Sequence, residues 1–391
     1  MNYVFFQDES GHDSKFTNKE LGFNFEMPDS SAYFVNVIIG FQDTMLKQFE
    51  DKFCEIENRN KRILGIKSEN EFKATSIANK HFEFGLSRMP AKYIDFYREL
   101  FNLIDQDCIV HISTINKLEQ VLLSTLRLDI EKINFLNVFL LIQFLDRNKT
   151  KKLRELIMDS NSTISDLFNE IDSIINNYLL TISNESEEYE YVQFFEPYFR
   201  EIIKNIDGIE KIELDYEYIF DGFKNLLNMK KIQESEVELI VDGLGNSLDK
   251  IFQGAKTVFP YSKIVGIDSS KSPSTRVVDF FANLIFRFIR NMEKEVKNNW
   301  NGLLNEEWFE ISNENNFLAL QELGNIFNNR KSEIWTTHNG IYCETAIYFY
   351  QYISYFTAYN NFQEYNNIST FEHSCHLGII AQKKLVEFLD R

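Results

Sequence analysis

The chain has 391 residues, 44% of them hydrophobic and 37 of them Phe, so it can fill a large core and is not a disordered segment. Its net charge of −18 excludes a surface that is basic throughout, of the kind that grips phosphates along its whole length. No apolar run is long enough to cross a bilayer and no signal peptide opens the chain. The four cysteines, Cys54, Cys108, Cys343 and Cys375, are too scattered for a disulfide framework, so the expectation is a cytoplasmic protein of one elaborated domain or two, without a membrane contact.

In chain order, Tyr3 to Gln7 is aromatic and β-branched, as a buried strand is, and it stops at Asp8-Glu9-Ser10-Gly11. Side chains alternate along a strand, so Glu9 is expected to point away from Asp8. His12 to Asp29 is polar and reads as a long loop. Ala32 to Gly40 is a second buried strand, and Asp43-Thr44 then caps a helix with Leu46, Phe49, Phe53 and Ile56 on one face. Glu71-Phe72-Lys73 follows in a basic stretch, ahead of a helix over Tyr93 to Ile104 and a third strand over Cys108 to Thr114.

From Lys117 to Asn205 only helical periodicity is present, which reads as an insertion. Strand character returns at Val237 to Val241, ending on Asp242-Gly243, and at Ile264 to Ile267, ending on Asp268. Ser272-Pro273 then starts a helix, with a hydroxyl at the cap and proline at the first turn. That helix is apolar over most of its circumference. Its polar residues Asp279, Asn283, Arg287 and Arg290 fall on one narrow stripe, which by itself reads as the face turned to water. Beyond Arg290 the chain is helix-rich, with no further strand of the earlier kind. The aromatic run Tyr348 to Tyr359 reads as core or as a subunit interface.

Three apolar strands that each end in aspartate exceed what turn chemistry requires. The charge is also uneven: Asp249 to Lys297 holds nine Lys and Arg against five Asp and Glu, and Arg59 to Lys80 holds six against two. Basic surface beside gathered acids suits a metal-dependent enzyme acting on phosphates. His338, Cys343, His373, Cys375 and His376 match no standard zinc spacing and read as structural. Gly243-Leu244-Gly245 lacks the third glycine of a dinucleotide loop.

The ordered set Asp8-Glu9-Ser10-Gly11, Glu71-Phe72-Lys73 and Asp268-Ser269-Ser270-Lys271, followed by an aspartate-bearing helix, resembles the bacterial domain-of-unknown-function family numbered 3800. The resemblance covers roughly residues 1–116 and 237–292. That family's usual helix signature is Leu-Gln-x-Ala-Asp; here Thr275-Arg276-Val277-Val278-Asp279 keeps the aspartate and replaces Gln and Ala.

The resemblance implies an RNase H-like α/β fold, with a mixed sheet of about five strands flanked by helices. The Asp8 and Asp242 strands are then adjacent and parallel. Such a sheet opens with a three-strand meander, whereas here helices intervene before the third strand. Residues 1–116 and 213–295 form the implied core, 117–212 a helical insertion and 296–391 a helical C-terminal region. Nucleases of this class gather carboxylates around two divalent ions, Mg²⁺ or Mn²⁺, which take hard oxygen ligands.

By resemblance Asp8, Asp242 and Asp279 are ligands and catalytic residues. Glu71 and Asp268 compete for the remaining place, while Lys73, Lys271 and Arg276 are the candidates for meeting substrate phosphate. The expectation is a metal-dependent nuclease or related phosphodiester hydrolase acting on DNA or RNA, in a context of bacterial defence against phage. The alternative is a catalytically inert RNase H-like module that binds nucleic acid or a protein partner. The helical regions are the expected surfaces for a protein partner or a second copy.

Overall fold

The computed structural model describes residues 2–11, 16–20, 22–27, 30–67, 69–104, 107–126, 135–159, 161–183, 186–204, 216–242, 246–268, 271–298, 302–328, 334–338 and 340–390. Within them six strands form one mixed sheet: β1 (Tyr3–Ser10), β2 (Tyr33–Gln42), β3 (Ile109–Asn116), β4 (Val237–Asp242), β5 (Lys263–Ile267) and β6 (Ile334–His338). Their order across the sheet is β5-β4-β1-β2-β3-β6. β1 runs antiparallel to β2 and β2 antiparallel to β3, so the first three strands are a meander after all. Its second connection carries α1 (Leu46–Leu64) and α2 (Ala91–Leu103), which is why the meander is hidden in the sequence. β4 and β5 add in parallel on the far side of β1.

β1 and β2 are buried along nearly their whole length, as strands covered on both faces must be. Val4 and Phe6 pack with Val35, Val37, Ile39 and Phe41 against α1, α2 and the long helix α10 (Pro273–Asn298). The opposite face presents Phe5, Phe34, Ile38, Leu239 and Val241 to α8 (Tyr218–Lys230) and α9 (Asn246–Val258).

α10 lies in the deepest layer. Its polar stripe does not face water: Arg287 and Arg290 are buried, with relative exposures of 4% and 5%. The stretch from Ala74 to Phe82 covers this side of α10, which the helix's own sequence has no means of announcing.

Two further expectations need correcting. β6, in the C-terminal region, pairs in parallel with β3 at the sheet edge. The helices α11 (Glu314–Asn328) and α12 (Glu344–Tyr355) pack into the same apolar cluster as α10, so this third of the chain belongs to the main core. The stretch from His12 to Asp29 lies partly outside the described residues. In the described part, the turn Asn24–Glu26 and the residue before it carry the fully buried Phe25 and Phe23. These pack with the insertion helices α3 (Lys117–Leu126), α4 (Phe135–Asn148), α5 (Lys151–Met158), α6 (Ile164–Thr181) and α7 (Glu187–Lys204), which share a separate apolar cluster.

The aromatic run of α12 is core, with Tyr348 and Tyr352 buried. His373, on α14 (Thr370–Leu389), is buried too, stacked at 4.0 Å between ring centroids on Tyr365 of the short helix α13 (Phe362–Asn366). It has the structural role its spacing indicated.

Candidate carboxylate site at the ends of β1 and β4

Strand alternation and register decide where the first two acids go. The β1–β4 pairing runs from Tyr3–Val237 to Gln7–Val241. Asp8 and Asp242 are the next residues on each strand, so their backbones stand about 5 Å apart. Asp8 follows Val4 and Phe6 onto the α10 face, and Asp242 follows Ile240 onto the same face. Asp279 lies near the start of α10, which crosses this face. The three carboxylates therefore approach from two parallel strand ends and one overlying helix.

The backbone turns away sharply just past Asp8. Gly11 has φ +81°, and a Cβ there would sit 2.6 Å from the Tyr33 carbonyl oxygen and 2.5 Å from the Phe286 ring. Only glycine fits, which gives the end of the Asp-Glu-Ser-Gly run a steric reason.

Glu71-Phe72-Lys73 closes the site from outside. Phe72 is buried against Phe96 and Phe280, anchoring an extended segment. In extended backbone the residues on either side of Phe72 project the opposite way. Glu71 and Lys73 accordingly form an ion pair of 3.1 Å, with the Lys73 side chain 53% exposed. The following turn, Ala74–Ser76, is held to α10 at two points. The Ala74 amide donates to Asp279 Oδ2 at 3.2 Å, and Arg287 donates to the carbonyls of Ile77 at 2.6 Å and Ala74 at 3.3 Å. The Arg287 guanidinium also lies 4.4 Å from the centre of the Phe82 ring.

The electrostatics of the cluster are frustrated. Burial pushes the Asp8 carboxyl well above the usual carboxylate range, and the charges of Glu9, Asp279 and Asp242 push it further. The Glu9 amide, donating to Asp8 Oδ1 at 2.7 Å, opposes them. Asp279 is raised by burial and then by Glu71, against the Ala74 amide, Lys73 and Arg287. Lys73 is raised by its hydrogen bond to Glu71 and by the charges of Glu71, Asp279 and Asp242, so its cation is favoured here.

Glu9 does turn to the other face, where Gln7 Nε2 donates to its Oε2 at 3.1 Å and to Asn36 Oδ1 at 2.8 Å. It is not remote, however. Burial first, and Asp242 after it, lift the Glu9 carboxyl to about 7. A single strand separates the two faces, too thin a screen to isolate charges on either side. Sequence reasoning dismissed Glu9 on geometry alone; the adjacent acids Asp8-Glu9 were the signal.

The remaining candidates come from other elements. Asp268 lies just past β5, one strand beyond β4. Its carbonyl accepts from the Lys271 amide at 2.9 Å, a turn ahead of α10. Lys271 is exposed at that turn. Arg276 is no phosphate ligand: its guanidinium is buried, 2.9 Å from Glu57 on α1 and above the Phe53 ring. Much of the basic surplus read from the sequence is used in this way, as in Arg59–Glu99, Lys61–Glu57, Lys263–Glu238 and Lys297–Asp146.

Among the described residues, no three His, Cys, Asp or Glu side chains come close enough to form a ready-made cation site. What fits a hard divalent cation is the donor set. Asp8, Glu9, Asp242, Asp279 and Glu71 act on one another here, opposed by Lys73 and Arg287. No family model, curated protein or solved structure matches the chain. The site must be read from its own chemistry.

Proposed function

We propose that the chain is a metal-dependent nuclease, or a related phosphodiester hydrolase, built on an RNase H-like sheet. One observation carries the reading: Asp8 from β1, Asp242 from the adjacent parallel β4 and Asp279 from α10 act on one another electrostatically at one end of the sheet. The strand order with β1 central, β2 antiparallel to it and β4 parallel to it is what the resemblance to family 3800 implies.

In this reading Asp8, Asp242 and Asp279 hold Mg²⁺ or Mn²⁺, with Glu71 as the fourth carboxylate. Bound there, divalent ions supply an activated water and neutralise charge on the leaving oxygen. Lys73, half-exposed beside the acids, meets a substrate phosphate, and Lys271, exposed just ahead of α10, is the second lysine offered for that contact. Arg287 keeps the Glu71–Lys73 segment in register with Asp279 through the Ala74–Ser76 turn.

The burial of Arg276 and the internal use of so many bases favour a second reading, an inert module of the same fold that binds nucleic acid or a protein partner. Melting curves of wild type, Asp8→Asn and Asp279→Asn, each with and without Mg²⁺, separate the two when run beside cleavage assays on DNA and RNA. The nuclease reading expects metal to raise the melting temperature of wild type only. It also expects both variants to lose cleavage while staying as stable as wild type, or more so, without metal. A wild type indifferent to metal, with both variants destabilised, overturns it.

A further inference from the structure

Several bases around α1 and α2 are neutralised by their neighbours. Arg59, Lys61, Arg88 and Arg98 are each paired with a glutamate. Lys80 and Lys92 are different. Both are exposed, and among the described residues neither has a carboxylate within ion-pair distance. In a chain of net charge −18, two uncompensated ammonium groups on one surface favour an anion from outside.

These two lysines come from different elements and meet at a pair of half-buried rings. His81, in the turn Asn79–Phe82, packs on Tyr93, near the start of α2, at 4.9 Å between ring centroids. Lys92 Nζ lies 4.9 Å from the centre of the Tyr93 ring. Burial lowers the His81 pKa below its usual 6.5, and the charges of Lys80 and Lys92 lower it further, so both ammonium groups act on this one spot. α10 fixes how far that spot is from the acids. The Ala74–Phe82 stretch is tied to the helix at Asp279 through the Ala74 amide and at Arg287 through the Ile77 carbonyl. The third tie is Asn291, whose Nδ2 donates to the Phe82 carbonyl at 2.7 Å. Asp279 and Asn291 are twelve residues apart, about 18 Å along the helix. One phosphate cannot touch both places. A polynucleotide can, because phosphates lie about 3.4 Å apart along a stacked strand, and roughly five of them span the gap. Lys73, exposed beside Glu71, stands at the acid end of the same stretch.

We propose that, granted the nuclease reading of the Asp8 site, the Lys73–Tyr93 stretch carries a nucleic-acid strand away from that site, with Lys80 and Lys92 on backbone phosphates beside the His81–Tyr93 pair. The substrate class is then a polynucleotide and not a small phosphodiester. Contacts of this kind fix the position of the strand and read no bases, so binding is independent of sequence.

Fluorescence anisotropy of the full chain with labelled 12-nucleotide single strands of DNA and of RNA tests this in chelator, where nothing is cut. Lys80→Gln combined with Lys92→Gln removes two phosphate contacts. It should lower the slope of log K against log salt by about 1.4 and weaken binding roughly 25-fold at 0.1 M salt. Lys256→Gln, on α9 at the opposite face of the sheet, should bind as wild type does. Both variants should keep the wild-type melting curve, because these side chains are exposed. A wild type that binds neither strand overturns the proposal. So does a folded double variant that binds like wild type, or a Lys256→Gln variant that loses as much. Cleavage in Mg²⁺ or Mn²⁺ is read separately. Cutting by wild type and by the double variant alike sinks the strand track and keeps the nuclease reading. A strand held through Lys80 and Lys92 but left uncut sinks the nuclease reading and keeps the strand-binding surface.

Discussion

Glu9→Gln is the sharpest probe of the crowding at the carboxylate site, because it removes one charge while leaving Asp8, Asp242 and Asp279 in place. The new amide oxygen still accepts from Gln7, so packing and hydrogen bonding survive. In the folded chain the Glu9 carboxyl is lifted from 4.5 to about 7. At about 1.4 kcal/mol per unit, that is a penalty of at most about 3.4 kcal/mol on the folded state once the group is ionised. The side chain retains some contact with water, which lowers the figure.

The sign follows from proton uptake. Below about pH 4.5 the carboxyl is protonated in both states and costs nothing. Between pH 4.5 and about 7 the folded chain keeps a proton that the unfolded chain releases, so stability falls as pH rises. Above pH 7 the penalty is complete. Glu9→Gln should therefore match wild type near pH 4 and gain up to about 3 kcal/mol at pH 8. With an unfolding entropy of about 0.8 kcal/mol/K for a chain of this length, that is a rise in Tm of up to about 4 °C. Calorimetry across this pH range in chelator measures it. A variant less stable than wild type at pH 8, or a difference independent of pH, would refute the view that burial, and Asp242 after it, penalise the ionised Glu9 in the folded chain.

Two further outcomes follow from the buried polar contacts. Arg287→Met strands the Ile77 and Ala74 carbonyls beneath α10 and should cost about 2–4 kcal/mol in denaturant unfolding, with freer proteolysis in the Glu71–Lys73 segment; a loss under about 0.5 kcal/mol would remove the clamp. His373 is held neutral by burial, its pKa lowered from 6.5 to about 4, so its share of stability is intact above pH 6.5 and drains away as pH falls toward 4. His373→Phe keeps the stack on Tyr365 but loses the 2.8 Å contact with the Tyr355 hydroxyl, so it should be less stable at pH 7 and show a shallower acid slope in urea unfolding.

How much of this was legible beforehand depended on the range of the signal. Asp8 and Asp242 stood out because each ends an apolar strand, and an acid where a buried strand leaves the sheet is a local pattern. Phe72 between Glu71 and Lys73 was equally local: one aromatic anchors an extended segment and turns its neighbours outward. Gly11 was explicable as a turn residue, although its steric reason, the Tyr33 carbonyl and the Phe286 ring, lies on other elements.

Only the tertiary structure decided the rest. Arg276, Asp279 and Arg287 share one helix and one polarity, yet Arg276 is tied to Glu57, Asp279 joins the acids and Arg287 braces a turn. Their fates depend on what α1, the ends of β1 and β4 and the Ala74–Ser76 turn place beside them, and those partners lie tens to hundreds of residues away. β6 escaped notice because its run Ile-Trp-Thr-Thr-His is half polar, without the apolar run that marks the equally short β5, and it takes its conformation from the β3 edge it joins. The sequence by itself determined which segments are buried strand or helix and where acids end them, since burial and periodicity are written locally. Which charges meet was settled by folding, because a charge's partner is set by distance in space and not by distance along the chain.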